Sequence, residues 1–487
     1  MTRPTRLALL PVALAVCLAF PTLARAGVNE DILNELKALK SRVAELEKKL
    51  EAQDAKIAET PQGMTAEQQQ DFNRITVKTE ALEDSRDALG LKNLKISGYM
   101  DPTFIYNQRQ DRAGFQFLNR VDTANGGDGY NYDNSYFGAA VIDFTKETDG
   151  GSRWRLTLAP NRGVGSVFDG NSPIHEASVS IPLSDLQTRL IAGQIPDWSG
   201  YEYLQPTLNK LITHNLLFDF TLPTAYTGAG LEVTRGKWLT KVMLANVNAS
   251  KRGASETSPG VAYRVDYAKG EFQGFGFAGV HGKAANFTEN MTQLGGFGVN
   301  PDTGAIEQLT EVVAQRDSRI DLFELDAYFI RGDWTVQGQW SIGRQAKASI
   351  TPDPISGDLR ASQWWGLSAL AAYKFQPRLE GTVRADYINN RKNGGGLLGY
   401  TAADDRNGIG PAVTELDVNG DPVYGDTEHG INRSALTFGL SYLYNLNTTF
   451  KFEYRFDHAS GPVFLDAKDG SYKKNNQLIG ASVLVSF

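Results

Sequence analysis

The sequence predicts an all-β chain: a transmembrane antiparallel β-barrel of about 16 strands, preceded by an N-terminal α-helical coiled coil. Three observations predict it. From Leu94 onward, apolar and polar residues alternate with a period of two, the spacing of strands with one greasy face. Tight turns and long connections alternate along that stretch, as they do in a barrel with one plain rim and one elaborate rim. After the first 26 residues, no run of about 18 apolar residues occurs that could cross a membrane as a helix.

The elements follow in order along the 487 residues. Arg3 and Arg6 open a basic start, Leu7 to Phe20 form an apolar stretch, and Ala24-Arg25-Ala26 resembles a cleavage site. Residues 1–26 therefore read as a secretory signal peptide. Its loss removes Arg3, Arg6 and Arg25 and no acid, so the formal charge falls from −7 to −10. An acidic total argues against general nucleic-acid binding. The sole cysteine, Cys17, lies within that segment, so the mature chain is expected to hold no disulfide.

Residues 27–60 carry a heptad seam of Ile32, Leu36, Leu39, Val43, Leu46, Leu50 and Ile57, with Gln53 filling one slot, spaced by fours and threes as in a coiled coil. An isolated helix of this length is marginal in water. It needs other strands, either copies of itself or its own protein. Pro61-Gln62-Gly63 breaks it. Residues 61–92 then hold a linker and a second amphipathic helix with Phe72, Ile75, Leu82 and Leu89.

The barrel is expected over 93–487. Residues 153–159 set Trp154, Leu156 and Leu158 against Arg153, Arg155 and Thr157. Residues 261–267 set Val261, Tyr263, Val265 and Tyr267 against Arg264 and Asp266. Residues 379–387 and 450–457 repeat the pattern with Arg384 and Arg455 on the polar side. Short turns are expected near 148–152, 183–186, 235–237, 268–271, 331–333, 376–378 and 444–448. Long connections are expected near 107–134, 160–173, 197–222, 248–259, 284–317, 345–361, 391–432 and 459–474. Aromatic residues at strand ends, among them Tyr99, Trp154, Trp238, Trp334, Tyr373, Phe375 and Tyr444, suit interfacial girdles.

The last strand places Ile479, Ala481, Val483, Val485 and Phe487 on one face and ends on a bare aromatic residue. With Gly480, Val483, Val485 and terminal Phe487, it resembles the C-terminal insertion signal of bacterial outer-membrane barrels. Such a strand pairs with the first and abolishes the sheet edge.

If lipid covers the apolar face, the polar face lines a lumen. The candidate pore-lining residues are Arg153, Arg155, Arg189, Lys241, Arg264, Glu324, Asp326, Lys374, Arg384 and Arg455. A barrel this wide is a pore unless plugged. The third long connection, 197–222, is rich in aromatic and apolar residues that a loop waving in water would not need. It is the candidate constriction loop, with Asp197, Glu202, Lys210, His214 and Asp219 as its polar groups. The alternatives are closure over the mouth or packing on a neighbouring subunit.

Gly193-Gln194-Ile195-Pro196, then Glu202, then Gly228-x-Gly230, resembles the corresponding stretch of the phosphate-selective porin family. The chain as a whole also looks like a porin-like family of proteobacteria with an N-terminal coiled coil. The resemblance implies a trimeric, sixteen-stranded channel with an infolded third loop. It does not carry over phosphate preference, because the loop offers Lys210 against Asp197, Glu202 and Asp219. The lumen charges also nearly cancel.

Enzyme chemistry is not expected. The five histidines are scattered without metal-ligand spacing. Asp417-Val418-Asn419-Gly420-Asp421 lacks the glutamate that closes a calcium loop. No cofactor or metal is expected. The expected partners are outer-membrane lipid, two further copies of the chain as a homotrimer, and small hydrophilic solutes or ions. The expected place is the Gram-negative outer membrane with the arm in the periplasm. Two other roles stay open: a membrane anchor tethering the cell wall through the coiled coil, and a surface adhesin or receptor using the long loops.

Overall fold

The computed structural model describes residues 71–79, 90–118, 129–130, 132, 138–160, 172–252, 256–285, 297–299, 306–308, 317–351, 353, 355, 359–398, 409–418 and 422–487. The expected signal peptide and coiled coil lie outside these. Of the expected second helix, residues 71–79 are helical, with Phe72 and Ile75 exposed.

The period of two becomes sheet as read. The strands are β1 (Leu94–Met100), β2 (Thr103–Asn107), β3 (Arg112–Gln116), β4 (Ala140–Glu147), β5 (Arg153–Leu158), β6 (Ile174–Asp185), β7 (Thr188–Pro196) and β8 (Ala225–Arg235). They continue with β9 (Trp238–Val247), β10 (Gly260–Ala268), β11 (Gln273–Ala285), β12 (Phe297–Val299), β13 (Ile306–Gln308), β14 (Asp317–Arg331), β15 (Trp334–Gln345) and β16 (Ser362–Gln376). The remainder are β17 (Leu379–Lys392), β18 (Val413–Leu416), β19 (Pro422–Tyr424), β20 (Arg433–Asn445), β21 (Thr448–Ala459), β22 (Phe464–Leu465), β23 (Tyr472–Lys473) and β24 (Asn475–Ser486). A single helical turn, α1 (Leu216–Phe220), lies in the third long connection.

β12 pairs with β13, β18 with β19 and β22 with β23 as small hairpins. All other strands form one sheet. β1 and β2 run end to end along β24, while β3 and β4 share the next position. The result is a closed antiparallel barrel of 16 strands. Closure is completed at the chain end: the Phe487 N–H donates to Gly98 O at 3.0 Å and the Gly98 N–H to Phe487 O at 3.2 Å. No helix among the described residues is long and apolar enough to cross a membrane, which says nothing against crossing by strands.

Side-chain direction follows the parity. Trp154, Trp238, Phe329, Trp334, Leu367, Phe438, Phe452 and Ile479 are exposed, whereas Glu324, Arg384, Glu453 and Arg455 are buried. A soluble barrel would invert this, because its apolar face would fill the interior. The greasy face is outside. Near the tight-turn rim, Trp334 stacks obliquely on Tyr373 at 4.7 Å, and Trp238 on Tyr267 at 4.8 Å, as girdle residues do.

Two expectations are corrected. Tyr99 does not join the girdle. It is buried with Val141 and Leu484 on the inner face, because β1 turns its odd residues inward and Ile96 and Met100 outward. The first long connection is not one loop over 107–134. β2 and β3 form a tight hairpin, Asn107 opposite Arg112, and the chain leaves the second barrel position only after Gln116. It returns at Ala140 opposite Met100. Asp101, facing inward, fastens the return by accepting from the N–H groups of Gly138 at 3.1 Å and Ala139 at 2.5 Å.

The inner face is also less uniformly polar than parity implies. Toward the long connections, Met243, Val247, Ala262, Val280, Ile320, Leu322, Trp364 and Ile388 pack with Leu216, Leu217 and Phe220 of α1 in one buried cluster. The barrel interior there is a packed core.

Candidate permeation site

The third connection leaves β7 at Pro196 and reaches β8 at Ala225. Its polar contacts are with inward-facing side chains on strands across the barrel. Lys451 Nζ donates to Pro206 O and Asn209 O at 2.7 Å each. Glu453 accepts from the Ile212 N–H at 2.6 Å, the Thr213 N–H at 3.1 Å, and the Thr213 hydroxyl. Arg384 donates to Thr213 O at 2.7 Å and His214 O at 2.8 Å, and pairs with Glu202 at 2.8 Å. Arg455 donates to the same His214 O at 2.8 Å. The loop therefore crosses inside the wall and does not lie over the mouth.

Local sequence sets this path. Asn215 caps α1, its side chain accepting from the Phe218 N–H at 2.8 Å. The Asn215 N–H in turn donates to Glu202 at 2.6 Å. The helix then presents Leu216, Leu217 and Phe220 to the apolar cluster. Space is made by glycine: a Cβ on Gly439 would lie 2.3 Å from Leu211, and one on Gly366 3.1 Å from Leu217.

The loop residues expected to constrict are thus mostly held rather than free. Glu202, His214 and Asp219 are buried. Asp197 accepts from the Tyr226 hydroxyl and from Ser199 N–H at 3.0 Å, and burial pushes its carboxyl from 3.8 up to about 6. Burial likewise raises Asp219, whose carboxylate takes a hydrogen bond from Tyr132 Oη at 2.5 Å. His214 stacks on Phe218 at 4.1 Å. Lys210, less buried, pairs with Glu380 at 2.8 Å.

The wall residues fall into two groups. On the far wall, Arg384 also pairs with Asp386 at 3.1 Å and Arg455 with Asp457 at 3.0 Å; Arg264, in register with Lys241, pairs with Asp326 at 2.8 Å while donating to Trp198 O at 2.8 Å. Glu324 is fully buried 3.9 Å from Arg264. These groups grip the loop, and desolvated charges of this kind need their partners. On the near wall, Arg155 pairs with Asp143 at 2.9 Å and Glu176 at 3.2 Å, Arg153 with Glu147 at 2.9 Å, and Lys241 with Glu232 at 3.2 Å. All of these but Asp143 line an open cavity of about 450 Å³ together with Lys95 and Trp198. Lys241 Nζ stands 5.7 Å from the Trp198 ring centre. Arg189 is buried instead, tied to Gly151 O at 2.7 Å and Ser180 Oγ at 2.6 Å. Lys374 is exposed at the tight-turn end.

Sequence reasoning missed the inward placement of Tyr130 and Tyr132, between β3 and β4. Tyr130 and Tyr132 lie fully inside with Phe464, and Arg455 Nη1 donates to Tyr132 Oη at 2.9 Å. Arg433 joins them through Asp457 at 3.0 Å. Aromatic residues in a Gly-Asp-Asn stretch, Gly127 to Asn134, were the available signal. Among the described residues no group of three metal-ligating side chains occurs.

A family model described as "Protein of unknown function (DUF3138)" matches residues 57–487. No curated protein matches the chain. Among solved structures, outer-membrane expressed OmpT of Vibrio cholerae is similar at 9% identity and a TM-score of 0.47, over 81% of this chain and 97% of its own. The anion-selective porin from Comamonas acidovorans is similar at 11% identity and a TM-score of 0.45, over 81% and 99%. OprD from Pseudomonas aeruginosa is similar at 10% identity and a TM-score of 0.36, over 81% and 95%. Likenesses this distant carry no inference about a solute.

Proposed function

We propose a passive diffusion channel of the outer membrane for this chain, which belongs to the protein family of unknown function DUF3138. The observation that carries the reading is the sidedness of the barrel. Sixteen strands close with Trp154, Phe452 and Ile479 outside and Arg155, Arg264 and Lys241 inside. Only a solvent of hydrocarbon outside and water inside rewards that arrangement.

In this reading residues 1–26 direct export, and the tight-turn rim and the arm face the periplasm. The loop 197–222 narrows the lumen, so that solutes pass between Trp198 and Lys241 on one side and Arg155 and Glu176 on the other. Paired charges of both signs line that passage, so it favours small hydrophilic solutes or ions with weak charge preference. The resemblance to phosphate-selective porins is kept for architecture alone. The heptad seam supports a homotrimer.

Planar-bilayer recording of the purified, refolded chain tests the proposal. Stepwise conductance is expected, with reversal potentials near zero in a salt gradient. A protein that inserts and yet conducts nothing above background at any salt sinks it. Deleting residues 28–59 separates the roles of the arm: trimers are expected to be lost while monomer conductance persists.

A further inference from the structure

The outer face changes chemistry at one level on the long-connection side. Phe323, Ile342 and Trp365 pair in register across β14, β15 and β16, closing the apolar band. One step nearer the loops, the paired residues are His281, Asp321, Arg344, Gln363 and Lys392, on β11, β14, β15, β16 and β17. Lys283 pairs with Arg319 immediately above them. Directly paired residues on antiparallel strands share a face, and this is the lipid-side face, since Leu325 and Ile342 on the same parities are exposed. Four cations therefore sit outside the barrel within four strand spacings, on the order of 20 Å of circumference. Arg319 is 76% exposed. The one carboxylate of the group, Asp321, is bonded by Arg319 at 3.2 Å and His281 at 3.1 Å, which leaves the cations in excess. The Tyr263 ring lies over Gly279 and its hydroxyl reaches His281 Nε2 at 3.3 Å. It spans the step from apolar band to charged row.

We infer that this row is a docking belt for a phosphorylated lipid headgroup of the outer leaflet, a step that rests on the membrane placement proposed above. Guanidinium and ammonium groups bind phosphate oxygens by charge-assisted hydrogen bonds, and basic side chains at a membrane surface attract anionic headgroups. Acyl chains of the same lipid lie along Phe323, Ile342 and Trp365, one row below. Free inorganic phosphate matches the cations but has nothing to set against those rings. A glycolipid bearing intact phosphates matches both.

The test uses the full chain in three forms: unchanged, Arg319→Ser/Arg344→Ser/Lys392→Ser, and a control, Lys269→Ser/Arg331→Ser/Arg378→Ser, with the same charge change at the tight-turn rim. Each is titrated with diphosphoryl lipid A in mild detergent, and bound lipid is read by native mass spectrometry. The loop-side variant is expected to bind on the order of 100-fold more weakly than the other two. Equal binding by all three, or displacement of the lipid by millimolar inorganic phosphate, overturns the belt. So does cross-linking that places Arg344 against a neighbouring subunit. Conductance is recorded in parallel. A chain that binds the lipid but passes no current supports the belt and removes only the channel reading.

Discussion

At the residue scale, the loop is held by a few desolvated groups. Glu453 takes three hydrogen bonds from Ile212 and Thr213, and a hydrogen bond to a charged group contributes about 1.5–3 kcal/mol. Glu453→Gln keeps the shape and removes the charge. It is expected to loosen the loop by about that amount while the barrel stays folded, read as greater open-channel noise with unchanged heat-modifiable gel mobility. Asp197 predicts a pH dependence. Its neighbours are Tyr226, Arg264 and Glu324. Because burial raises its folded value from 3.8 to about 6, the docked loop holds this proton more tightly than the released loop. Docking is firmest below 3.8, weakens as pH rises to about 6, and is constant above. Current noise is expected to grow across that window and to be flat in Asp197→Asn. Equal slopes in both proteins remove Asp197 as the cause.

At the element scale, α1 is too short to fold alone, since a nucleus of one turn is unfavourable. Burial of Leu216, Leu217 and Phe220 against inward strand residues supplies what propensity does not. Leu217→Ala is expected to cost about 2–5 kcal/mol of loop docking, with larger conductance and little change in barrel melting. Gly439→Val pushes from the opposite wall: Leu211 occupies the place its side chain would take. The same release of the loop is expected, seen as faster exchange of the amide protons of 208–215. Between β3 and β4, Tyr130 and Tyr132 also lie inside and meet Arg433 and Arg455, and Asp101 holds the N–H groups of Gly138 and Ala139. These tyrosines and the third connection thus share one arginine cluster.

At the scale of the whole molecule, the barrel has no free edge because β24 pairs with β21 on one side and with β1 and β2 on the other. Phe487 makes the last bonds of that seam. Deleting it exposes Gly98 N–H and O at the lipid boundary, where unsatisfied backbone costs several kcal/mol each. Lower yield of folded protein in outer membranes is expected, with normal conductance from the molecules that do fold. Loss of conductance at normal yield contradicts an assembly role for the terminus.

The sequence by itself determined the sheet, the sidedness and the rims. Alternation every second residue is a local property, and a slip of one position would move Arg155 or Phe452 to the wrong solvent. Parity is therefore legible without coordinates, and so were the tight turns at 148–152 and 236–237. What lies inside the lumen was decided by the tertiary structure. Met243 and Trp364 are as apolar as their outward neighbours, and nothing in their composition says that the wall around them meets α1 rather than lipid. Likewise Arg384 and Arg455 read as water-facing charges. They are instead the fasteners of an infolded loop, because their partners, Thr213 and His214, lie some 170 and 240 positions away. Contacts that distant are set by closure of the barrel, which brings strands from both ends of the chain around one axis.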